Sequence, residues 1–473
     1  MADSLVDFDG SLAIVPRLAA SFEASPDGRQ VTFHLRPGVR WHDGKPFTAR
    51  DVLYTEKLLK QLDDGRRHRV NFGPLESLTA PDDLTVRATY GEPFAGALVG
   101  WRETFILPAH LPWDPNGPSA LDRAPVGTGP FVFLKWEPQQ SIVLEANRQY
   151  FAGRPWVDRY VQRVVPSAET LRAAVGTGDV DVAPLGVDWL RSHAGGDAGL
   201  PFRARIVPTR VMQMIYWNVD AAHGVFRDPR VRRAMTMLLD RRAYTATIQQ
   251  GVYRVPATLV DVWGGDPALE PLPYDPAAAA RLLDEAGVVD RNGDGLREGP
   301  QGPFAFTLIY PTTSPDYREI AQLLERSARA AGVSVTLQGL EWAVMRPQVY
   351  ARSFDAAVYQ WSLEPYPDPY AYFHSSLIQP GSGTNFGGYR SAAFDALAER
   401  ARRTLDPKAE EALLREMQAL LHQDQPCTFV AIAGSVVAIS RRFRHPELTS
   451  AGLWNWYPGL LAWWVPPDER RHR

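Results

Sequence analysis

Val31, Phe33 and Leu35 alternate with Thr32, His34 and Arg36, the period of a strand with one buried face. Pro37-Gly38 turns the chain, Val39 and Trp41 resume the alternation, and Asp43-Gly44 turns it again, because Asp and Gly tolerate the positive φ of tight turns. Thr48 then caps a helix whose third residue is Asp51, with Phe47 and Val52 at the hydrophobic-staple positions around that cap. Asp228-Pro229, Asp275-Pro276, Ser314-Pro315 and Asp406-Pro407 each predict a further helix start: Asp or Ser accepts an orphan N–H, and proline fits the first helical position. Gly251, Gly287 and Gly332 are placed to close three of these helices. A strand-like run from Phe304 to Tyr310 leads to the helix opened by Ser314-Pro315, with Ile320, Leu323 and Leu324 on its apolar side. Val333, Val335 and Leu337 follow as an alternating strand, so this stretch reads as a β-α-β unit and predicts an α/β class with a parallel or mixed sheet.

The chain's 473 residues exceed one ordinary core, and at roughly 150 residues per domain they suggest about three folding units. A content of 45% hydrophobic and 22% charged residues is that of a globular protein. The net charge of -3 supplies no basic face, so no nucleic-acid partner is expected. The basic side chains are nearly all arginine, which suits fork-shaped recognition of carboxylates or phosphates and equally reflects codon usage. Cys427 is the single cysteine, which excludes an intramolecular disulfide and a Cys-based zinc site and predicts a buried structural thiol. No window approaches the ~18 to 20 apolar residues that span a bilayer. The opening MADSLVDFDGSLAIVPRLAA has acids where a secretory leader carries lysine or arginine.

His34 and His42 fall on a strand and a turn, without the spacing of a helical H-x-x-x-H pair, so neither metal binding nor catalysis is expected there. His110, His223, His374 and His422 form no local ligand pair. There is no G-x-S-x-G elbow, H-E-x-x-H pair, P-loop, or G-x-G-x-x-G opening a helix, so no enzyme activity and no cofactor are expected. Asp290, Asn292, Asp294 and Gly295 match the first half of a calcium loop, but the twelfth position is Gln301 where a bidentate Glu is required. A plain polar loop is expected there.

The run SPDGRQVTFHLRPGVRWHDGKPFTARDV, Ser25 to Val52, closely resembles the signature region of the family 5 extracellular solute-binding proteins, the peptide, dipeptide and nickel receptors of ATP-driven importers. Further segments are similar to the same family in the same order: Gly127 to Phe151, Gly178 to Ala183, Phe226 to Tyr244, Tyr274 to Gly287, and Phe354 to Pro369. The resemblance implies a two-lobed periplasmic-binding-protein-like clamp with mixed sheets and a subdomain inserted in the first lobe. On that pattern the first lobe takes residues 1–24, 126–217 and 441–473, the inserted subdomain 25–125, and the second lobe 218–440, with hinges near 217 and 440. It further implies capture of a small solute (peptide-like, opine or oligosaccharide) in the interlobe cleft, delivery to the membrane subunits of an ABC permease, a monomer, and a periplasmic or extracytoplasmic location. Family members carry some tens of residues ahead of the segment resembling Leu5 to Gly28, so the sequence is expected to begin inside a longer chain. A ligand-sensing domain of a cytosolic regulator and a hydrolase built on the same clamp stay open as alternatives.

In peptide-binding members an aspartate three residues before the Asp/Glu-Pro dipeptide holds the peptide's α-ammonium group. Counted back from Asp368-Pro369, that place is Pro365, which cannot neutralise an ammonium; Glu364 supplies the charge only if the backbone is shifted. Tyr359, Trp361 and Tyr366 are expected to form a flat apolar wall, with Asn385 and Tyr389 as donors to the ligand. Trp454 and Trp456 are expected to approach the cleft, while Trp463 and Trp464 pack. Asp228, Arg230, Arg232 and Arg233 are assigned to a helix start and a solvated face.

Overall fold

The computed structural model describes all residues except 63–67, 69–71, 115–116, 118, 194–195, 223, 450–452, 454–456 and 471–473. The chain divides into two compact units, Met1–Pro208 with Arg403–Leu405 and Ser435–Arg473, and Thr209–Arg402 with Asp406–Gly434.

In the first unit, β1 (Ala19–Ala24), β2 (Gln30–Leu35), β3 (Leu75–Asp82) and β4 (Thr85–Tyr90) form an antiparallel sheet in the order β1-β2-β4-β3. Val31, Phe33 and Leu35 are buried as their alternation requires, and α1 (Ala49–Gln61) follows the turns at Gly38 and Gly44, whose φ values are 75° and 86°. One core joins Leu5, Val6 and Leu18 to Phe33, Trp101 and Ile106. A subdomain boundary at residue 25 would divide that core, because the strand entering at Ala19 hydrogen-bonds directly to β2. A second antiparallel sheet is built from β5 (Phe131–Glu137), β6 (Ser141–Ala146) and β7 (Arg159–Arg163).

The polar residues of the opening motif are structural. The Asp51 carboxylate, 4% exposed, accepts Thr48 N at 2.9 Å, Ala109 N at 2.8 Å and Trp41 Nε1 at 3.3 Å. The capping box thus also ties the helix start to a distant loop. His42 Nδ1 accepts the Gly127 N–H at 3.2 Å and Nε2 donates to Gly129 O at 2.9 Å, while His34 lies 3.5 Å from Glu23 on the polar side of the sheet.

The short strand β8 (Val182–Pro184) pairs with Val437–Ile439 of a long strand discussed below. The second unit is organised on β9 (Phe202–Trp217), β10 (Ala305–Pro311), β11 (Ser334–Leu340), β12 (Ala356–Ser362) and β13 (Cys427–Ser440), in the order β13-β9-β12-β10-β11. β10 runs parallel to both β11 and β12, whereas β9 is antiparallel to β12, which makes the sheet mixed. The unit boundaries fall inside β9 and β13, at 208–209 and 434–435, and around the short segment Arg403–Leu405.

Helices α2 (Pro229–Met237), α3 (Pro276–Glu285), α4 (Pro315–Ala330) and α5 (Pro407–Asp424) all begin at the predicted pairs. Asp228 accepts from Arg230 N, Asp275 from Ala278 N, Ser314 from Asp316 N and Asp406 from Ala409 N. Gly287 and Gly332 follow α3 and α4 with φ of 76° and 77°. Gly251 is a different case: α2 already stops at Met237, and Gly251 closes a later turn through its N–H to Thr245 O at 2.9 Å.

Alternation in β9 and β12 supplies two cores. Ile215, Trp217, Ala356 and Val358 face α4 with Ile320 and Leu324, whereas Met212, Met214, Tyr216, Ala357 and Tyr359 face the side of Phe394, Leu413 and Met417. Both faces of the sheet are therefore covered, as parallel strands require. Cys427 is fully buried with Sγ 3.8 Å from Met214 Sδ.

Arg232 departs from its assignment to a solvated face. It is 4% exposed, and its guanidinium donates to Asp424 O at 2.7 and 3.0 Å, Gln425 O at 3.0 Å and Phe226 O at 2.6 Å. The last carbonyls of α5 have no intrahelical donor and carry the negative end of the helix dipole, so a planar cation is well matched to them.

Candidate functional site

The site residues lie at the end of β12 and in the segment that follows it. Tyr359 and Trp361 are two apart on a strand and so share a face, opposite Met214 and Met212 of β9. Trp361 Nε1 donates to Tyr216 Oη at 2.7 Å, and its ring lies on Phe386 with centroids 5.5 Å apart and planes 12° from parallel. Tyr359 packs between Trp342 at 5.3 Å and Phe386 at 5.2 Å, while Tyr372 meets Trp361 edge-on at 5.3 Å. Burial pushes the Tyr216 phenol well above its ordinary value, so it stays neutral as the acceptor of the indole N–H. Trp361 is half-buried, whereas Tyr359, at 5% exposure, supports it from within the core.

Beyond Trp361 the backbone is pinned. Leu363 N donates to Arg210 O at 2.9 Å, and Glu364 O accepts from Trp263 Nε1 at 2.7 Å. The Glu364 side chain is exposed, and Pro365 is buried.

Tyr366 turns away from this wall. Its hydroxyl donates to the Glu410 carboxylate, whose own acidity burial weakens. Asp368 accepts from Arg402 Nη2 at 2.6 Å and Nε at 3.2 Å, Arg402 covers the Tyr370 ring at 3.7 Å, and Tyr370 stacks on His374 at 3.9 Å. This turn is a clamp onto neighbouring helices rather than a ligand surface.

Asn385 and Tyr389 are likewise committed inside the fold, contrary to their expected role as ligand donors. Asn385 is 2% exposed, its Nδ2 donates to Phe373 O, His374 O and Tyr389 O at 2.9, 3.2 and 2.8 Å, and its Oδ1 accepts Tyr389 N at 3.0 Å. Tyr389 is 4% exposed and donates to Asp424 at 2.6 Å. Trp454 and Trp456 lie outside the described residues, while Trp463 is 1% exposed and packs on Phe443 as expected. The sequence reading missed Trp263, Tyr216, Phe386 and Trp342. Nothing in their local spacing marks them, because each reaches the cluster through a fold contact.

The loop at Asp290 brings carboxylates of Asp290, Asp294 and Glu298 within 4.8 Å of one another, with Glu298 contributing where the spacing argument looked to Gln301. These oxygens accept the loop's own backbone N–H groups: Gly293 and Gly295 on Asp290, Leu296 on Asp294, and Arg291 on Glu298, at 2.7 to 3.0 Å. The loop is thereby closed on itself.

Among the described residues no helix is long and apolar enough to cross a membrane. The chain is 28% identical to the oligopeptide-binding protein AppA of Bacillus subtilis over 473 aligned positions, covering 96% of this chain and 85% of that protein. It is 30% identical to Protein XP55 of Streptomyces lividans, covering 93% and 80%. The solved structure of B. subtilis AppA in complex with a nonapeptide superposes with a TM-score of 0.82 at 26% identity, over 98% of this chain and 93% of that one. The model of the bacterial extracellular solute-binding proteins, family 5, matches residues 13–384. With that match spanning most of its length, this chain belongs to the family 5 bacterial extracellular solute-binding proteins.

Proposed function

We propose that this protein is the substrate-binding component of an ATP-driven importer, working outside the cytoplasm, that holds a peptide-like solute and passes it unchanged to membrane permease subunits. The observation that carries this reading is the Trp361 ring, seated on Phe386 and fixed through its N–H to Tyr216 at 2.7 Å. A braced aromatic face loses little side-chain freedom when it contacts a ligand, and so lowers the ordering cost that a micromolar complex, worth ~8 kcal/mol net, must overcome. The oligopeptide name of the B. subtilis relative supports the same class of solute.

The test is a thermal-shift panel of peptides, opines, oligosaccharides and metal chelates. A ligand at about 100 times its Kd adds about 2.7 kcal/mol to stability by mass action. The expected result is that short peptides raise the melting temperature and that Trp361→Ala reduces the effect. If nothing in the panel shifts the transition, the receptor reading fails. Mass spectrometry of the recovered ligand then separates a receptor, which returns it intact, from a hydrolase, which does not.

A further inference from the structure

The second unit holds a cavity of about 440 Å³ whose lining includes Thr307, Gln338, Gln348, Ser353, Phe354 and Asp355. It lies at the opposite end of β12 from the aromatic cluster, since Phe354 precedes the strand and Trp361 is near its end. Along the strand, at ~3.3 Å per extended residue, Phe354 and Trp361 are roughly 20 Å apart, although Arg352 of the cavity wall also reaches the carbonyl of Phe386, on which Trp361 stacks. The volume falls within the ~300 to 1,000 Å³ typical of small-molecule pockets.

The charged groups of this wall are already matched. Arg352 donates to Asp220 at 2.6 Å and to Phe386 O at 3.2 Å, Arg390 also reaches Asp220 at 3.1 Å, and Asp355 accepts Thr307 N at 3.0 Å. The neutral groups are not: among the described residues, the hydroxyls of Thr307 and Ser353 and the carboxamides of Gln338 and Gln348 have no hydrogen-bond partner. Each of these groups both donates and accepts, which is what a sugar or polyol hydroxyl needs from its surroundings. Ile309, Ala221 and Ala222 add apolar surface for the C–H side of such a molecule. A charged ligand would find the local ions already paired and would have to displace them.

We infer that this cavity is a second binding site, specific for a neutral polyhydroxylated molecule of about monosaccharide size. It is independent of the solute site at Trp361. The experiment titrates glucose, galactose and mannitol into the full chain, read by saturation-transfer NMR and calorimetry. Wild-type protein is expected to bind at least one of the three saturably, in the millimolar range. The double variant Q338A/Q348A is expected to lose about tenfold or more in affinity, in line with two hydrogen bonds of ~1 kcal/mol each. Gln338 is exposed and Gln348 half-buried, so an unchanged melting temperature will show that the variant is folded. W361A should leave polyol binding intact. The inference is overturned if none of the three binds saturably, if Q338A/Q348A binds as wild type does, or if W361A abolishes the binding. The last result would place polyols in the solute site, and none of these outcomes bears on whether peptides shift the melting temperature.

Discussion

Trp361 lies on Phe386 with ring centroids 5.5 Å apart and planes 12° from parallel, and its N–H is held 2.7 Å from Tyr216 Oη. One face of the indole is used for packing and its one donor is satisfied, so what remains is a flat, rigid, apolar surface. The orientation of that surface depends on Phe386, which is 1% exposed.

Phe386→Ala is therefore expected to act on stability and on binding together. Removing a buried phenyl ring costs about 3–5 kcal/mol, seen as a lower urea midpoint, and any peptide affinity falls because Trp361 loses its seat. Trp361→Phe keeps a ring on Phe386 and removes the donor to Tyr216. It should cost only about 1 kcal/mol of stability. A Trp361→Phe protein with the stability loss of Phe386→Ala would show that the indole N–H, not the stack, holds the cluster.

Asp51 is the hub of the opening motif, accepting three N–H groups at 2.8 to 3.3 Å while 4% exposed. Asp51→Ala leaves Trp41 Nε1 and Ala109 N without an acceptor and removes the helix cap. Loss of a cap is worth about 1 kcal/mol and each stranded buried donor about 1–3 kcal/mol, so a total of about 3–7 kcal/mol is expected in a denaturant titration. A loss below about 1 kcal/mol would mean that the cap alone matters.

Burial lowers the pKa of His42 from its usual 6.5, with the Gly129 carbonyl, Asp3 and Asp43 opposing the shift. With the folded value below the unfolded one, the unfolded chain takes up the proton first as pH falls. The stability due to neutral His42 is thus present above about pH 6.5 and is lost as pH falls through the folded value. Urea midpoints between pH 8 and pH 5 should drop more steeply for the wild type than for His42→Gln, which cannot titrate. Parallel profiles would count against this account.

Arg232 donates to carbonyls at the end of α5 from a position 4% exposed. Arg232→Lys keeps the charge but cannot span these oxygens with one planar group, so a loss of about 2 kcal/mol is expected. Arg232→Met leaves the carbonyls with no donor and should cost more. Thermal unfolding of the two variants, ranked Lys above Met, is the check.

Cys427 has no exposed surface, and burial raises its thiol well above the ordinary value. Because the thiolate is the reactive form, native protein should not consume a thiol reagent on the time scale of minutes, and one equivalent should react after unfolding in guanidinium. Fast reaction in the native state would contradict the burial.

The four Asp-Pro and Ser-Pro helix starts, the β10-α4-β11 unit and the strand at Val31 to Leu35 were legible in the chain because each is settled by partners a few residues away. A cap reaches two or three residues, and strand alternation needs only that one face be buried. The availability of a polar or aromatic side chain to a ligand has no such local signature. Arg232 meets a helix end 192 residues later, Trp361 its hydroxyl acceptor 145 residues earlier, and Trp263 the backbone of Glu364 101 residues on. Asn385 and Tyr389 look like donors in the sequence, and only their burial between β12 and α5 shows that those donors are taken. The sequence by itself determined the elements and the class of fold. Tertiary structure decided which side chains are committed within the fold, because a hydrogen-bonding group is taken according to neighbours that only folding brings within 3 Å or so.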